Sequence, residues 1–200
     1  RLLRGVHCLQ SSLPLEARTR LDARSGYLLI VSDGMGGRAA GEVASATAVE
    51  VVVQCVRTVF DGDLGAGKNE DVAVRAILKE AVERAAAILK TIQRRRPDQT
   101  GMGCTLTMGY IIKSSLWVAH VGDSRAYLVR DRELHRLTKD HTWAEALKEA
   151  DAIGSSEVAL HPGRHMLTNV LGGKDDLFVD ITRLPLEPDD VLVFCTDGVH

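Results

Sequence analysis

Apolar residues change their spacing several times along this chain. In GYLLIVS, Gly26 to Ser32, they run uninterrupted and rich in strand formers, stopping at Asp33-Gly34-Met35-Gly36-Gly37; this predicts a buried strand feeding a tight loop. From Gly41 to about Phe60, Val49, Val52, Val53, Val56 and Val59 recur at helical spacing, and since valine is a modest helix former, burial must decide that helix. After the linker DGDLGAGKN, a second helix opens with Glu70 and Asp71 in its first turn. It carries Val74, Leu78, Ala81, Ala85, Leu89 and Ile92 on one face, and Arg94, Arg95 and Arg96 place favourable charge at its end before Pro97.

Beyond Pro97 the pattern predicts short strands at Cys104 to Ile112, Leu116 to Val121, Arg125 to Val129 and Glu133 to Leu137. The links between them are so short that neighbours must be antiparallel. A polar, weakly periodic stretch from about Thr138 to Lys174 follows, with a helix predicted at Trp143 to Ala152; its length suggests a mobile lid. Strands near Leu177 to Leu184 and Val191 to Cys195 complete an α+β pattern of helices segregated from an antiparallel meander.

At 200 residues, 45% of them hydrophobic, the chain suffices for one domain with a sizeable core, expected over 1–200. Lys and Arg number 25 against 27 Asp and Glu, so no global field favours nucleic acid or an anionic membrane. Cys8, Cys55, Cys104 and Cys195 form no CxxC pair and suggest reduced residues of a cytoplasmic protein. No apolar run approaches the ~20 residues of a membrane span, and no signal-peptide pattern opens the chain. It starts on Arg1 and stops at His200 just past an apolar strand, so both ends are expected to be cut.

Three apolar strands end alike: LLIVS at Asp33-Gly34, WVAHVG at Asp123-Ser124 and VLVFCT at Asp197-Gly198. Any one such aspartate serves equally well to begin a turn. If the three ends converge, however, several carboxylates share a small volume, which at pH 7 demands cations or retained protons. A glycine beside the carboxylate also lets a carbonyl approach a ligand. Hard oxygen ligands suit Mg2+ or Mn2+, and the absence of a Cys/His cluster argues against zinc. The loop after Asp33 has neither GK[ST] nor GxGxxG spacing, which excludes a nucleotide P-loop.

The runs VSDGMGGRAAGEVAS (31–45), GMGCTLT (101–107), AHVGDSRAYLVRDRELHRLTKDHT (119–142), LTNVLGG (167–173) and VLVFCTDGV (191–199), in this order, resemble the protein phosphatase 2C family, especially its bacterial members. The resemblance implies two antiparallel sheets packed as a sandwich and flanked by helix pairs, a four-layer α-β-β-α fold, with a variable flap at about 142–163. It implies that Asp33 bridges two metal ions, that the Gly34 carbonyl is a further ligand, and that Asp197 is a second carboxylate of the centre. Asp123 would help hold a third ion. Asp33 and Asp197 would thus be catalytic, with Asp33, Gly34, Asp123 and Asp197 as metal ligands and Mn2+ or Mg2+ as cofactor. The implied reaction is hydrolysis of phosphoserine and phosphothreonine esters on proteins by a water that the cations activate. Implied partners are phosphorylated proteins, a serine/threonine kinase among them, with a monomer and no nucleic acid or membrane expected. Met35 stands where many eukaryotic relatives carry His, which leaves the leaving-group acid open.

His120 and His141 read as structural, His141 with an orienting role near the flap as the alternative. Arg125 is expected to pair with a carboxylate, and Glu42 and Ser45 to serve the first helix. The competing functions are a catalytically inactive phosphatase-like binding module and a phosphatase of small phosphoesters. The family's N-terminal Arg-Asn-acidic motif and C-terminal Asp-Asn motif are not visible. HCLQSS, His7 to Ser12, could fill the first place only with every key residue replaced, so both motifs are expected outside the segment.

Overall fold

The computed structural model describes residues 27–60, 70–173 and 176–199; Cys8, His7 to Ser12 and the DGDLGAGKN linker lie outside them. In chain order the elements are β1 (Tyr27–Val31), β2 (Gly34–Met35), α1 (Arg38–Phe60), α2 (Glu70–Arg95), β3 (Gly103–Cys104), β4 (Leu106–Ile112), β5 (Ser115–Val121), β6 (Arg125–Arg130), β7 (Glu133–Arg136), α3 (Trp143–Glu149), α4 (Ser155–Val158), β8 (Asp180–Pro185) and β9 (Val191–Cys195). Short 3-10 turns occupy Pro97–Gln99 and Pro162–His165.

One antiparallel sheet runs β1-β4-β5-β8 and a second β7-β6-β9, while β2 and β3 form a small ribbon. Strand β5 explains why its apolar run is continuous rather than alternating: successive residues serve two cores. Trp117, Ala119 and Val121 join Val52 of α1 and Leu78 and Leu89 of α2, whereas Leu116 and Val118 meet Ala126, Leu192 and Phe194 of the second sheet. The Phe194 ring lies so close over β4 that a Cβ at Gly109 would sit 2.5 Å from it. Helix lies on sheet on sheet, giving the expected α+β sandwich. Among the described residues no long helix pair covers the outer face of the second sheet, where Leu134, Val191 and Val193 are exposed.

Helix α1 buries Ala44, Ala48, Val52 and Val56 at four-residue intervals, and two alanines in that row allow close approach to α2. Ala39–Arg57 is also long and apolar enough to cross a membrane, at mean hydropathy 1.4. No contiguous apolar run marks it in the sequence, because Glu42, Ser45, Thr47, Glu50 and Gln54 interrupt the segment. The buried row of α1 belongs to the core it shares with α2 and the first sheet. The helix begins three residues before its expected start, at Arg38.

The start of α2 is latched to the sheet beneath it. Asp71 accepts a hydrogen bond from the Trp117 indole (2.8 Å) and an ion pair from Arg75 (2.9 Å), and Arg75 also donates to the Ile181 carbonyl. Asp71→Ala would leave the Trp117 N–H, in a residue only 1% exposed, without its partner. It is expected to cost about 2 kcal/mol. Urea titration measures this, and an unchanged midpoint would contradict the latch.

Three strand expectations are corrected. The strands expected as neighbours in one antiparallel meander divide between two sheets, because the Gly122-Asp123-Ser124 link passes from β5 in the first sheet to β6 in the second. The strand expected from Cys104 is interrupted at Thr105, which turns its polar groups to Asp33 and Ser32 instead of to a ladder. The one expected from Leu177 begins only at Asp180, because the Asn169 side chain takes up the backbone C=O and N–H of Phe178. The polar stretch is also more ordered than a loop. Thr142 caps α3 by accepting from the Glu145 N–H, and α3 ends at Glu149.

Candidate metal centre

Strand register brings the aspartates together. In the β6/β9 ladder Arg125 faces Cys195, and carrying the same register two residues further sets Asp123 opposite Asp197. In the β1/β4 ladder Val31 faces Thr107, so Asp33 falls opposite Thr105. Thr105 then holds the Asp33 backbone from both sides: its N–H donates to the Asp33 carbonyl (2.9 Å) and its hydroxyl accepts from the Asp33 N–H (2.9 Å). That hydroxyl also meets the fully buried Ser124 hydroxyl at 2.7 Å, joining the loop of Asp33 to the turn of Asp123.

The turn itself needs a glycine. Gly122 has φ +106, and a Cβ there would stand 2.6 Å from the Thr105 methyl. Its backbone exchanges two hydrogen bonds with His141: the His141 N–H donates to the Gly122 carbonyl (2.7 Å), and the Gly122 N–H donates to His141 Nδ1 (3.1 Å). With Nδ1 accepting, the ring proton belongs on Nε2, which faces Asp180 at 3.0 Å. His141 thus anchors the turn that carries Asp123.

Ligand atoms of Asp123, Asp197 and His165 lie within 4.8 Å of one another. The Asp33 carboxyl is held above the usual carboxylate range by burial first, then by a hydrogen bond and like charge from Asp197, with Asp123 adding further like charge. Two carboxyls can hydrogen-bond only by keeping a proton between them, and a divalent cation would relieve the same repulsion. The donor set therefore fits Mg2+ or Mn2+ in charge and hardness. The Gly34 carbonyl lies against Gly41 at the start of α1. A Cβ at Gly34 would come within 2.0 Å of the Gly41 oxygen, so backbone packing by itself requires glycine there.

Sequence reasoning missed His165. It sits in the polar stretch without any periodicity to mark it, and the flap that the resemblance implied, about 142–163, stops just short of it. Arg125 and Ser45, read as structural, are found in structural roles, whereas Glu42, expected as helix-start charge, falls outside the first turn because α1 starts at Arg38. Arg125 makes a two-pronged contact to Asp140, which also pairs with Arg136. Burial works against charge on Arg125 and Asp140, yet their pairing outweighs it, raising the one and lowering the other. Ser45 bonds back to the Gly41 carbonyl, and Glu42 is exposed.

His120 is 2% exposed, with Nε2 on the Lys139 carbonyl and Nδ1 on the Thr107 hydroxyl. Burial, reinforced by His141, pushes its pKa down to about 4. Between the ordinary value near 6.5 and 4, the unfolded chain takes up a proton that the folded one refuses, so stability falls as pH drops through that window. The loss from this group approaches about 3 kcal/mol at its lower end. NMR should show a neutral His120 ring at pH 5; titration near 6.5 would contradict the burial argument.

The protein phosphatase 2C family model matches residues 4–200. The chain is 30% identical over 172 residues to serine/threonine phosphatase stp of Listeria welshimeri, covering 86% of this chain and 66% of that protein. It is 36% identical over 172 residues to serine/threonine protein phosphatase PstP of Mycobacterium tuberculosis, covering 86% of this chain and 31% of that protein. Among solved structures, the Mycobacterium tuberculosis phosphatase PstP/Ppp aligns with a TM-score of 0.74 at 34% identity, covering 87% of this chain and 71% of that one. The catalytic domain of PstP in complex with two manganese ions aligns with a TM-score of 0.67 at 32% identity, covering 87% and 70%. With its sandwich, its order of motifs and its three converging aspartates, this chain belongs to the protein phosphatase 2C family.

Proposed function

We propose that this chain is the larger part of the catalytic domain of a metal-dependent protein phosphatase, which hydrolyses phosphoserine and phosphothreonine esters on proteins. The observation that carries the reading is the convergence of Asp33, Asp123 and Asp197 at one end of the sandwich, in a family whose named relatives are serine/threonine phosphatases. Asp33 and Asp197 would hold two ions together, with Asp123 on a third. What a cation held there supplies is a lowered water pKa and neutralisation of charge developing on the phosphoryl group.

This chain's own residues supply position. Thr105 and Ser124 fix the Asp33 loop against the Asp123 turn, so the carboxylates need little rearrangement to bind. Neither Cys104 nor Cys195 is suited to act as nucleophile: burial pushes the Cys104 thiol up to about 12, and Cys195 is likewise buried and shifted upward. The proposed setting is cytoplasmic, supported by free cysteines at 55, 104 and 195. Proposed substrates are phosphorylated proteins, including a serine/threonine kinase, with the enzyme acting as a monomer.

The test is phosphate release from a phosphothreonine peptide by the full-length protein. Activity should vanish with EDTA, return with Mn2+ or Mg2+, and withstand thiol alkylation. Turnover that survived exhaustive chelation would overturn the proposal.

A further inference from the structure

We infer that His165 is a nitrogen ligand to a divalent cation it shares with Asp123 and Asp197, so that the turn Pro162–His165, at the end of the flap, is fastened to the metal centre by a coordinate bond. The inference rests on the proposed metal centre and adds a residue from outside the three strand ends. His165 is the one non-carboxylate in the group, and its ring offers a ligand atom within 4.8 Å of those of both aspartates. Ligands about 2.1 Å from a common ion stand roughly 3 to 4.2 Å apart, so a small side-chain adjustment closes the site. Among the described residues no hydrogen bond or ion pair holds the His165 ring elsewhere.

The backbone that carries it is fixed. Pro162 opens the 3-10 turn, His161 Nδ1 accepts from the Gly163 N–H at 3.0 Å, and the Met166 N–H donates to the Gly163 carbonyl. The Met166 carbonyl in turn accepts from the Trp143 N–H, and Thr142 bridges to Leu167. Gly163 packs so closely on Trp143 that a Cβ would lie 2.9 Å from the indole. His165 is therefore presented from a turn secured on both sides, next to Asp123 and Asp197.

An imidazole donor has a chemical consequence. Nitrogen is a better ligand for Mn2+ than for Mg2+, which prefers oxygen and keeps its waters, so this position should favour Mn2+.

The experiment uses the full-length protein and Mn2+ alone as probe. Calorimetric titration gives the binding steps, and pulsed electron paramagnetic resonance reads nitrogen-14 modulation on bound Mn2+. The wild type is expected to show imidazole nitrogen coupling. His165→Ala should lose that coupling and weaken one Mn2+ step by about tenfold or more. His165→Asp should recover binding through oxygen, without the nitrogen signal and with less preference for Mn2+ over Mg2+. If the wild type binds Mn2+ and hydrolyses phosphopeptide, while His165→Ala keeps both the nitrogen signal and the isotherm, this inference is wrong and the proposed function stands. If the wild type binds no Mn2+, both fail. His165 is exposed, so matching melting curves in EDTA should show that the variants are folded.

Discussion

Asp197→Asn in the full-length protein is expected to lower kcat/KM for a phosphothreonine peptide by on the order of a thousandfold, because electrostatic stabilisation by a bound cation contributes several kcal/mol to such a reaction. Asp33→Asn should do the same. The fold should not suffer: Asp197 is exposed, and Asp33 carries a carboxyl that its two neighbours already destabilise. In EDTA both variants should therefore melt no lower than the wild type, since each removes a like charge. In Mn2+ the wild type should gain thermal stability and the variants should gain little, because an ion that binds only the folded state stabilises by mass action. Asp123→Asn should slow turnover less and weaken only the third site. Wild-type rates for Asp197→Asn at limiting Mn2+ would show that this carboxylate is not a ligand.

Gly34→Ala is expected to give the largest loss of stability of any single methyl addition near the site, about 3 kcal/mol or more. The added carbon would stand 2.0 Å from the Gly41 carbonyl oxygen and 2.4 Å from its carbon, and both are backbone atoms that no rotamer change can move. The reciprocal change Gly41→Ala meets the Gly34 carbonyl at 2.7 Å and should cost less. To relieve either contact, α1 must shift away from the loop that follows Asp33, so Mn2+ affinity should drop together with the urea midpoint. A Gly34→Ala protein with an unchanged midpoint would mean that the two backbones are not in contact.

How much was legible in the sequence varies with the range of the interaction. The three Asp-bearing strand ends could be read because a strand's apolar run and its polar stop are local features. Likewise the face of α2 was marked by Val74, Leu78, Ala81, Ala85 and Leu89, all of which are buried. Thr105 was missed because its partners, Ser32, Asp33 and Ser124, come from other parts of the chain. Nothing in its own neighbourhood separates it from the strand residues on either side. Asn169 displaced the start of β8 in the same non-local way. His165 carries no periodic signal, and only the arrangement in space sets it beside Asp123 and Asp197. The glycine at position 34 was noticed for ligand access, and its packing role, seating α1 through Gly41, could not be read because it depends on how two backbones meet in space.

The pairing of β1 with β4 joins Tyr27 to Ile111 and Val31 to Thr107 with both long helices threaded between them. Contacts so distant along the chain close slowly, whereas the helix pair and the β4-β5 and β6-β7 hairpins are built from near neighbours. During refolding the two hairpins, with Asp123 on the link between them, should form early, and β1 should dock late, carrying Asp33 into place with it. The ability to bind Mn2+ should then emerge in the slowest kinetic phase, behind the recovery of helical circular dichroism. A stopped-flow experiment that follows both signals would show whether the centre is completed by the final strand to arrive.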